Sequence, residues 1–141
     1  MNFEEIYTNG EYLNKNPTWD AEDAVWKAEM VKKIIKKNTS SIESIVEVGC
    51  GSGAILAHLQ KTFTDVNFSG FDISPQGIAI AKRCANDKLS FYNQDYINER
   101  TITTDILLVI DVIEHVPDFL YFLNRLKREK QIFCVSYSVR C

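Results

Sequence analysis

From Ile45 to Gly53 the chain reads Ile-Val-Glu-Val-Gly-Cys-Gly-Ser-Gly, a β-branched run broken by three alternating glycines before the apolar Ala54-Ile55-Leu56. This is the pattern of a strand, a tight turn and a helix start, the unit from which α/β proteins build nucleotide pockets. Gly49, Gly51 and Gly53 tolerate left-handed angles and put no Cβ between the peptide groups and a ligand. A tight turn with no ligand is the plain alternative. Glu47 narrows the ligand class, because its carboxylate is expected at the strand end, where a dinucleotide sets its pyrophosphate. Two like charges there cost on the order of several kcal/mol at an effective dielectric of about 20. A positively charged ligand without phosphate meets Glu47 favourably.

The rest of the chain alternates in the same way. Asp20 is positioned to cap a helix running to Lys37, with Trp26, Met30 and Ile34 and the neighbouring Val31 and Ile35 as its apolar stripe. Strand 45–48, helix 53–61, strand 67–71, helix 75–86, strand 89–93, strand 105–110, helix 117–127 and strand 131–137 follow. Strands separated by helices predict an α/β fold, a Rossmann-like doubly wound parallel sheet of five strands in order 3-2-1-4-5 with an N-terminal helix. In such sheets ligands bind beyond the strand C-termini at the switch in strand order. Glu47, Asp72, Asp95 and Asp111 all fall there. Four carboxylates at four strand ends repel one another unless a cation or a donor-rich ligand lies between them.

Asp72 lies about 20 residues beyond the first glycine, the offset at which a βαβ unit delivers an acid to a ribose diol. Capping the next helix is its alternative role, and Ser74, followed by Pro75, serves that role better. Asp95 is either a turn former after Asn93 or a ligand group. Asp111, Glu114 and His115 form a D-x-x-E-H cluster that either braces the turn before Pro117 or supplies a general base or metal site. His58 reads as a surface or packing residue. Tyr7, Tyr12 and Trp19 are either packing aromatics or ring faces that close over a cation.

The glycines alone fit both the G-x-G-x-G of methyltransferases and the dinucleotide G-x-G-x-x-G/A. Together with the other segments, the chain resembles the class I S-adenosylmethionine-dependent methyltransferases of small-molecule type, over roughly residues 42–128. Glu47 to Gly53 looks like the first motif of that family, Gly70 to Ser74 its ribose acid, and Asn93-Gln94-Asp95-Tyr96 its adenine-side turn. Asp105 to Val116 resembles its fourth strand and following turn. Residues 12–29, with Pro17-Thr18-Trp19 and Val25-Trp26-Lys27, are similar to the N-terminal helix of some members.

The resemblance implies S-adenosylmethionine as cofactor, held by Glu47, Gly49, Cys50, Gly51, Gly53, Asp72, Ile73, Asp95, Tyr96 and Asp111. Glu47 would face the ammonium, Asp72 the ribose and Asp95 the adenine amino group, with Ile73 and Tyr96 near the base. His115 is the candidate base, and no metal is expected. Asp-Val-Ile-Glu-His stands where family members acting on nucleic acids and protein glutamine carry Asn-Pro-Pro-aromatic, which points to a small-molecule hydroxyl or amine acceptor. A nicotinamide-dependent oxidoreductase is disfavoured by Glu47.

Size and charge agree. The 141 residues, 45% hydrophobic, suit one domain, with residues 1–40 as an N-terminal helical segment and 41–141 as the core. A net charge of −3 gives no basic field for nucleic acid, and the Lys32, Lys33, Lys36 and Lys37 cluster reads as a solvated helix end. No apolar run spans a bilayer and the first residues lack the order of a secretory signal, so a cytoplasmic location is expected. Cys50, Cys84, Cys134 and Cys141 have neither zinc spacing nor a disulfide framework, and Cys50 is expected to fill a gap in the turn. The family fold has seven strands, and only five are read here. The core is therefore expected to be C-terminally incomplete, with a bare edge that pairs with a second copy or a protein partner. A catalytically silent cofactor-binding module, or a truncated fragment that assembles with a partner, is the alternative function.

Overall fold

The computed structural model describes residues 4–19, 21–39, 41–98, 103–126 and, as backbone, 132–135. Two short helices, α1 (Glu5–Thr8) and α2 (Glu11–Lys15), precede α3 (Ala24–Asn38). The core then runs β1 (Ser44–Val48), α4 (Ala54–Gln60), β2 (Asn67–Phe71), α5 (Pro75–Ala81), β3 (Leu89–Tyr92), β4 (Ile106–Ile110), α6 (Phe119–Leu126) and β5 (Ile132–Val135). All neighbouring strands are parallel, in the order β3-β2-β1-β4-β5. This is the Rossmann-like sheet expected from the alternating runs.

A sheet covered on both faces needs strands apolar on both sides. In β4, Ile106, Leu108 and Ile110 join the core that includes Ala28, Val31, Leu56 and Ile78, whereas Leu107 and Val109 join Tyr96, Phe122 and Leu126 on the other face. The period of two places Ile45 on the first face and Val46 and Val48 on the second. Glu47 shares the parity of Ile45, so a carboxylate stands in an apolar row on the face that α3 and α4 cover.

Local chemistry sets most element ends. Ser74 caps α5 by accepting from the Gly77 N–H at 3.2 Å, with Pro75 at the first helical position. This helix is shorter than 75–86. It tightens into a 3-10 turn at Lys82–Cys84, and Asn86 Oδ1 then accepts from the Lys88 N–H at 3.0 Å, leading the chain into β3. α6 starts at Phe119 rather than at residue 117, since Asp118 Oδ1 accepts from the Tyr121 N–H at 2.9 Å. Residue 127, the expected end of this helix, lies outside the described residues, as do 131, 136 and 137 of the expected last strand.

At the N-terminus the expected cap Asp20 also lies outside the described residues. α3 begins at Ala24 after a 3-10 turn at Ala21–Asp23. Its inward face differs from the expected stripe: Ala24, Ala28, Val31 and Ile35 are buried, while Trp26 is 51% exposed. The two alanines allow α3 to approach the layer beneath more closely than an indole would. The Met30 and Ile34 side chains are half-buried at its margin. Among the described residues no helix is long and apolar enough to cross a membrane.

Candidate functional site

A cleft of about 580 Å³ opens at the carboxyl rim of the sheet, within the roughly 300–1,000 Å³ typical of small-molecule sites. The ends of β1, β2 and β4 and the turn after β3 form its floor, and α1, α2 and Trp19 lie over it. Glu47, Gly49, Cys50, Gly51, Asp72, Ile73, Asp95, Tyr96, Asp111 and His115 all line it. Gly53 and Glu114, also singled out from the sequence, are not among its lining residues.

The glycine turn has the left-handed angles expected of it, with φ of +73° at Gly49, +53° at Gly51 and +75° at Gly53. The space a side chain needs is taken by the protein itself. A Cβ on Gly51 would lie 2.4 Å from Trp19 Cδ1, and one on Gly53 2.5 Å from Phe91 Cζ. The glycines thus serve close packing within the chain, and Gly53 acts as the left-handed N-cap of α4. Cys50 is buried beside Gly70, where it fills the turn as expected, and burial pushes its thiol well up. Most of the turn's N–H groups are already engaged: Gly49 and Cys50 donate to Phe71 O at 2.8 and 3.1 Å, Gly51 to Asp72 Oδ2 at 2.8 Å, and Gly53 to Cys50 O at 2.9 Å.

The carboxylates around the cleft differ in their surroundings. Asp72 takes the Gly51 N–H on Oδ2 and the Ser74 N–H on Oδ1, both at 2.8 Å. Burial raises its pKa, and those two N–H groups work against the rise. Glu47 is 2% exposed, and its Oε2 has no hydrogen-bond partner among the described residues. Burial drives its pKa well above the carboxylate range; Asp72 and Asp111 add to this and Lys27 opposes it. Asp111 holds φ at +54° and pairs with Lys27 Nζ at 2.5 Å. Exposed Asp95 closes the 3-10 turn Tyr96–Asn98, accepting from the Ile97 N–H at 3.1 Å and from Asn98 Nδ2 at 3.2 Å.

Of the D-x-x-E-H cluster, Asp111 and His115 reach the cleft and exposed Glu114 does not. Among the described residues no group of three or more His, Cys, Asp or Glu could hold a metal ion. Trp19, Tyr12, Tyr7 and His115 form an aromatic row above the cleft, with successive centroid separations of 4.7, 4.9 and 6.1 Å. Gln76 Nε2 donates to Thr8 O at 3.2 Å and ties this cover to α5. His58 lies outside the cleft, where its Nε2 is 3.0 Å from Glu29 Oε1. That oxygen also accepts from Lys32, and these two contacts, Lys32 first, lower Glu29 to about 2.

Two residues do more here than the sequence indicates. Trp19 holds φ at +52°, an outlier for a bulky side chain, and its ring seals both Gly51 and Gly77. Lys27 was visible only as part of a helix resembling one in relatives. Among the described residues lining the cleft, it is the sole lysine or arginine.

Comparison with known proteins agrees with this geometry. A family model described as a methyltransferase domain matches residues 46–128. Norajmaline N-methyltransferase of Rauvolfia serpentina is 29% identical over 93 residues, 61% of this chain and 32% of that protein. A tRNA (guanine-N(7)-)-methyltransferase of Clostridium botulinum (strain Okra / Type B1) is 27% identical over 88 residues, 60% of this chain and 41% of that protein. The chain thus spans 32% to 41% of the length of these curated relatives. The structure of the plantazolicin methyltransferase BpumL in complex with SAH superposes with a TM-score of 0.66 at 18% identity, covering 96% of this chain and 57% of that one. With the family model matching more than half of its length, the chain belongs to the S-adenosylmethionine-dependent methyltransferases of class I fold.

Proposed function

We propose that this chain binds S-adenosylmethionine across the carboxyl rim of the sheet and transfers a methyl group to a small-molecule hydroxyl or amine acceptor. The observation that carries this reading is the buried, unpartnered Oε2 of Glu47 in the cleft. An orphaned carboxylate oxygen is costly unless a donor arrives, and the cofactor's ammonium is such a donor. Asp72 has lone pairs left for the ribose hydroxyls, while Ile73 and Tyr96 flank the base and Asp95 takes its amino group. Gly49, Cys50 and Gly51 form the wall beside the tail, Asp111 borders it, and Gly53 acts through the shape of the turn. With most of its N–H groups engaged within the protein, the turn suits a phosphate-free ligand better than a dinucleotide.

The bound cofactor supplies a sulfonium methyl open to in-line displacement. Alignment and exclusion of water then do most of what the protein must do, and the aromatic cover serves both. An amine lone pair needs no base, whereas a hydroxyl does. His115 lines the cleft and takes that proton. Among the described residues, Glu4, Glu47, Asp72, Asp95, Asp111 and Asp118 line the cleft against Lys27 alone, which supports a small neutral or cationic acceptor over a phosphodiester chain. Of the relatives, norajmaline N-methyltransferase stands on that side of the choice and the tRNA (guanine-N(7)-)-methyltransferase on the other, so the acidic lining carries the preference.

A catalytically silent cofactor-binding module is the second reading: the acids of the cleft can hold the cofactor whether or not His115 moves a proton. Calorimetric titration with S-adenosylmethionine, followed by assay for S-adenosylhomocysteine, separates the two. Binding with turnover supports the enzyme, and binding without turnover on any acceptor supports the module. NADH binding in place of S-adenosylmethionine overturns both. In the enzyme, His115→Ala lowers turnover of a hydroxyl acceptor by about 100-fold or more at unchanged cofactor affinity.

A further inference from the structure

Lys27 projects from α3, whose buried Ala24, Ala28, Val31 and Ile35 fix the helix in place. Its side chain is only 16% exposed and its ammonium is paired with Asp111. Read across the sheet, the rim carries Asp95 and Tyr96 beyond β3, Asp72 and Ile73 beyond β2, Glu47 at β1 and Asp111 at β4. If the nucleoside lies over β3 and β2, the other end of the ligand falls at β1 and β4, where Lys27 stands.

An amino-acid tail brings two charges to that end. The ammonium finds Glu47 Oε2. The carboxylate needs a donor, which in many nucleotide sites comes from free N–H groups of the glycine turn. Here Gly49, Cys50, Gly51 and Gly53 have donated theirs within the protein. Glu47 and Asp111 repel an anion unless a cation stands between them. Lys27 is that cation.

We propose that Lys27 binds the α-carboxylate of the cofactor's amino-acid tail, so that Lys27 and Glu47 form a two-pole clamp for a zwitterion, with Asp111 holding the Lys27 side chain at the β4 end. The inference rests on the S-adenosylmethionine reading and adds a contact that the recognised motifs lack. It assigns the donor's amino-acid end to a residue outside the segment matched by the family model.

The test compares two probes by calorimetry: S-adenosylhomocysteine, and S-adenosyl-3-thiopropylamine, which keeps the amine and thioether and lacks only the carboxylate. The wild-type protein is expected to bind the first about tenfold or more tightly, as befits one charge-assisted contact. Lys27→Met brings the ratio to one or below, because the acidic cleft then favours the more cationic analogue. Lys27→Arg keeps the preference. A wild-type protein that binds both probes equally overturns the proposal without recourse to any variant. So does a Lys27→Met protein that retains the wild-type ratio, or that loses both probes in proportion, which would make Lys27 merely a counter-charge for the acids. Failure of the wild-type protein to bind S-adenosylhomocysteine at all removes the underlying cofactor reading instead.

Discussion

The two halves of the cleft are built differently. On the β2 and β3 side each acid is committed to the protein: Asp72 joins the glycine turn to the start of α5, and Asp95 closes its own turn. On the β1 and β4 side Glu47 keeps an oxygen without a partner among the described residues, and Asp111 stands in a left-handed conformation against Lys27. One half is therefore already shaped for a rigid nucleoside, and its acids contribute to folding. The other half holds charge in reserve for a ligand. Substitutions in the two halves should consequently shift the stability of the empty protein in opposite directions.

The largest effect is expected at Asp72. Asp72→Ala strips the Gly51 and Ser74 N–H groups of their acceptors and removes the group assigned to the ribose. We expect a stability loss of about 1–3 kcal/mol, read by urea unfolding, and S-adenosylhomocysteine affinity about 100-fold lower. The loss is moderated because the buried carboxylate is itself costly to ionise. A variant with unchanged stability would break the contrast between the two halves.

Glu47→Gln should act the other way on the empty protein. The folded-state pKa of Glu47 is raised above its ordinary value of 4.5, so its favourable contribution is complete below that pH and is lost as pH climbs toward the raised value. The glutamine variant should match wild type near pH 4 and become the more stable by about 1–2 kcal/mol toward pH 8, read from paired thermal melts. Its affinity for S-adenosylhomocysteine should fall about tenfold. Binding to the wild-type protein should also release a proton, since an arriving ammonium favours the ionised form; titrations in buffers of differing ionisation enthalpy would detect it.

The sequence disclosed those features that are local or periodic. Alternating β-branched runs marked the strands and their parallel sense, the family resemblance carried their order, Ser74-Pro75 marked the start of α5, and the carboxylates appeared at the strand ends because parallel strands all finish on one rim. What escaped depends on distant packing. Glu47 is buried, with its Oε2 unpartnered among the described residues, on the face that α3 covers, and Lys27 shows in the sequence only as part of a segment resembling the N-terminal helix of some relatives. Trp26 seemed part of the core from its spacing, whereas the small Ala24 and Ala28 make the close contact. α1 and α2, of four and five residues, are too short to register a hydrophobic period. Trp19 gives no sign in sequence of its left-handed backbone or its seat on Gly51.

Asp95 should give the smallest effect and set the boundary of the prebuilt half. Its two oxygens support the Tyr96–Asn98 turn, and the same side chain is assigned to the adenine amino group. Asp95→Asn keeps a carbonyl oxygen for the Ile97 N–H and gives up the charge, so the turn should survive with a stability change within about 0.5 kcal/mol. If the adenine contact is made, affinity for S-adenosylhomocysteine should drop by about two- to fivefold, the value of weakening one charge-assisted hydrogen bond at an exposed position. Affinity equal to wild type would confine Asp95 to its turn and leave Tyr96, buried against Phe71 at 5.1 Å between centroids, as the residue that shapes the adenine end.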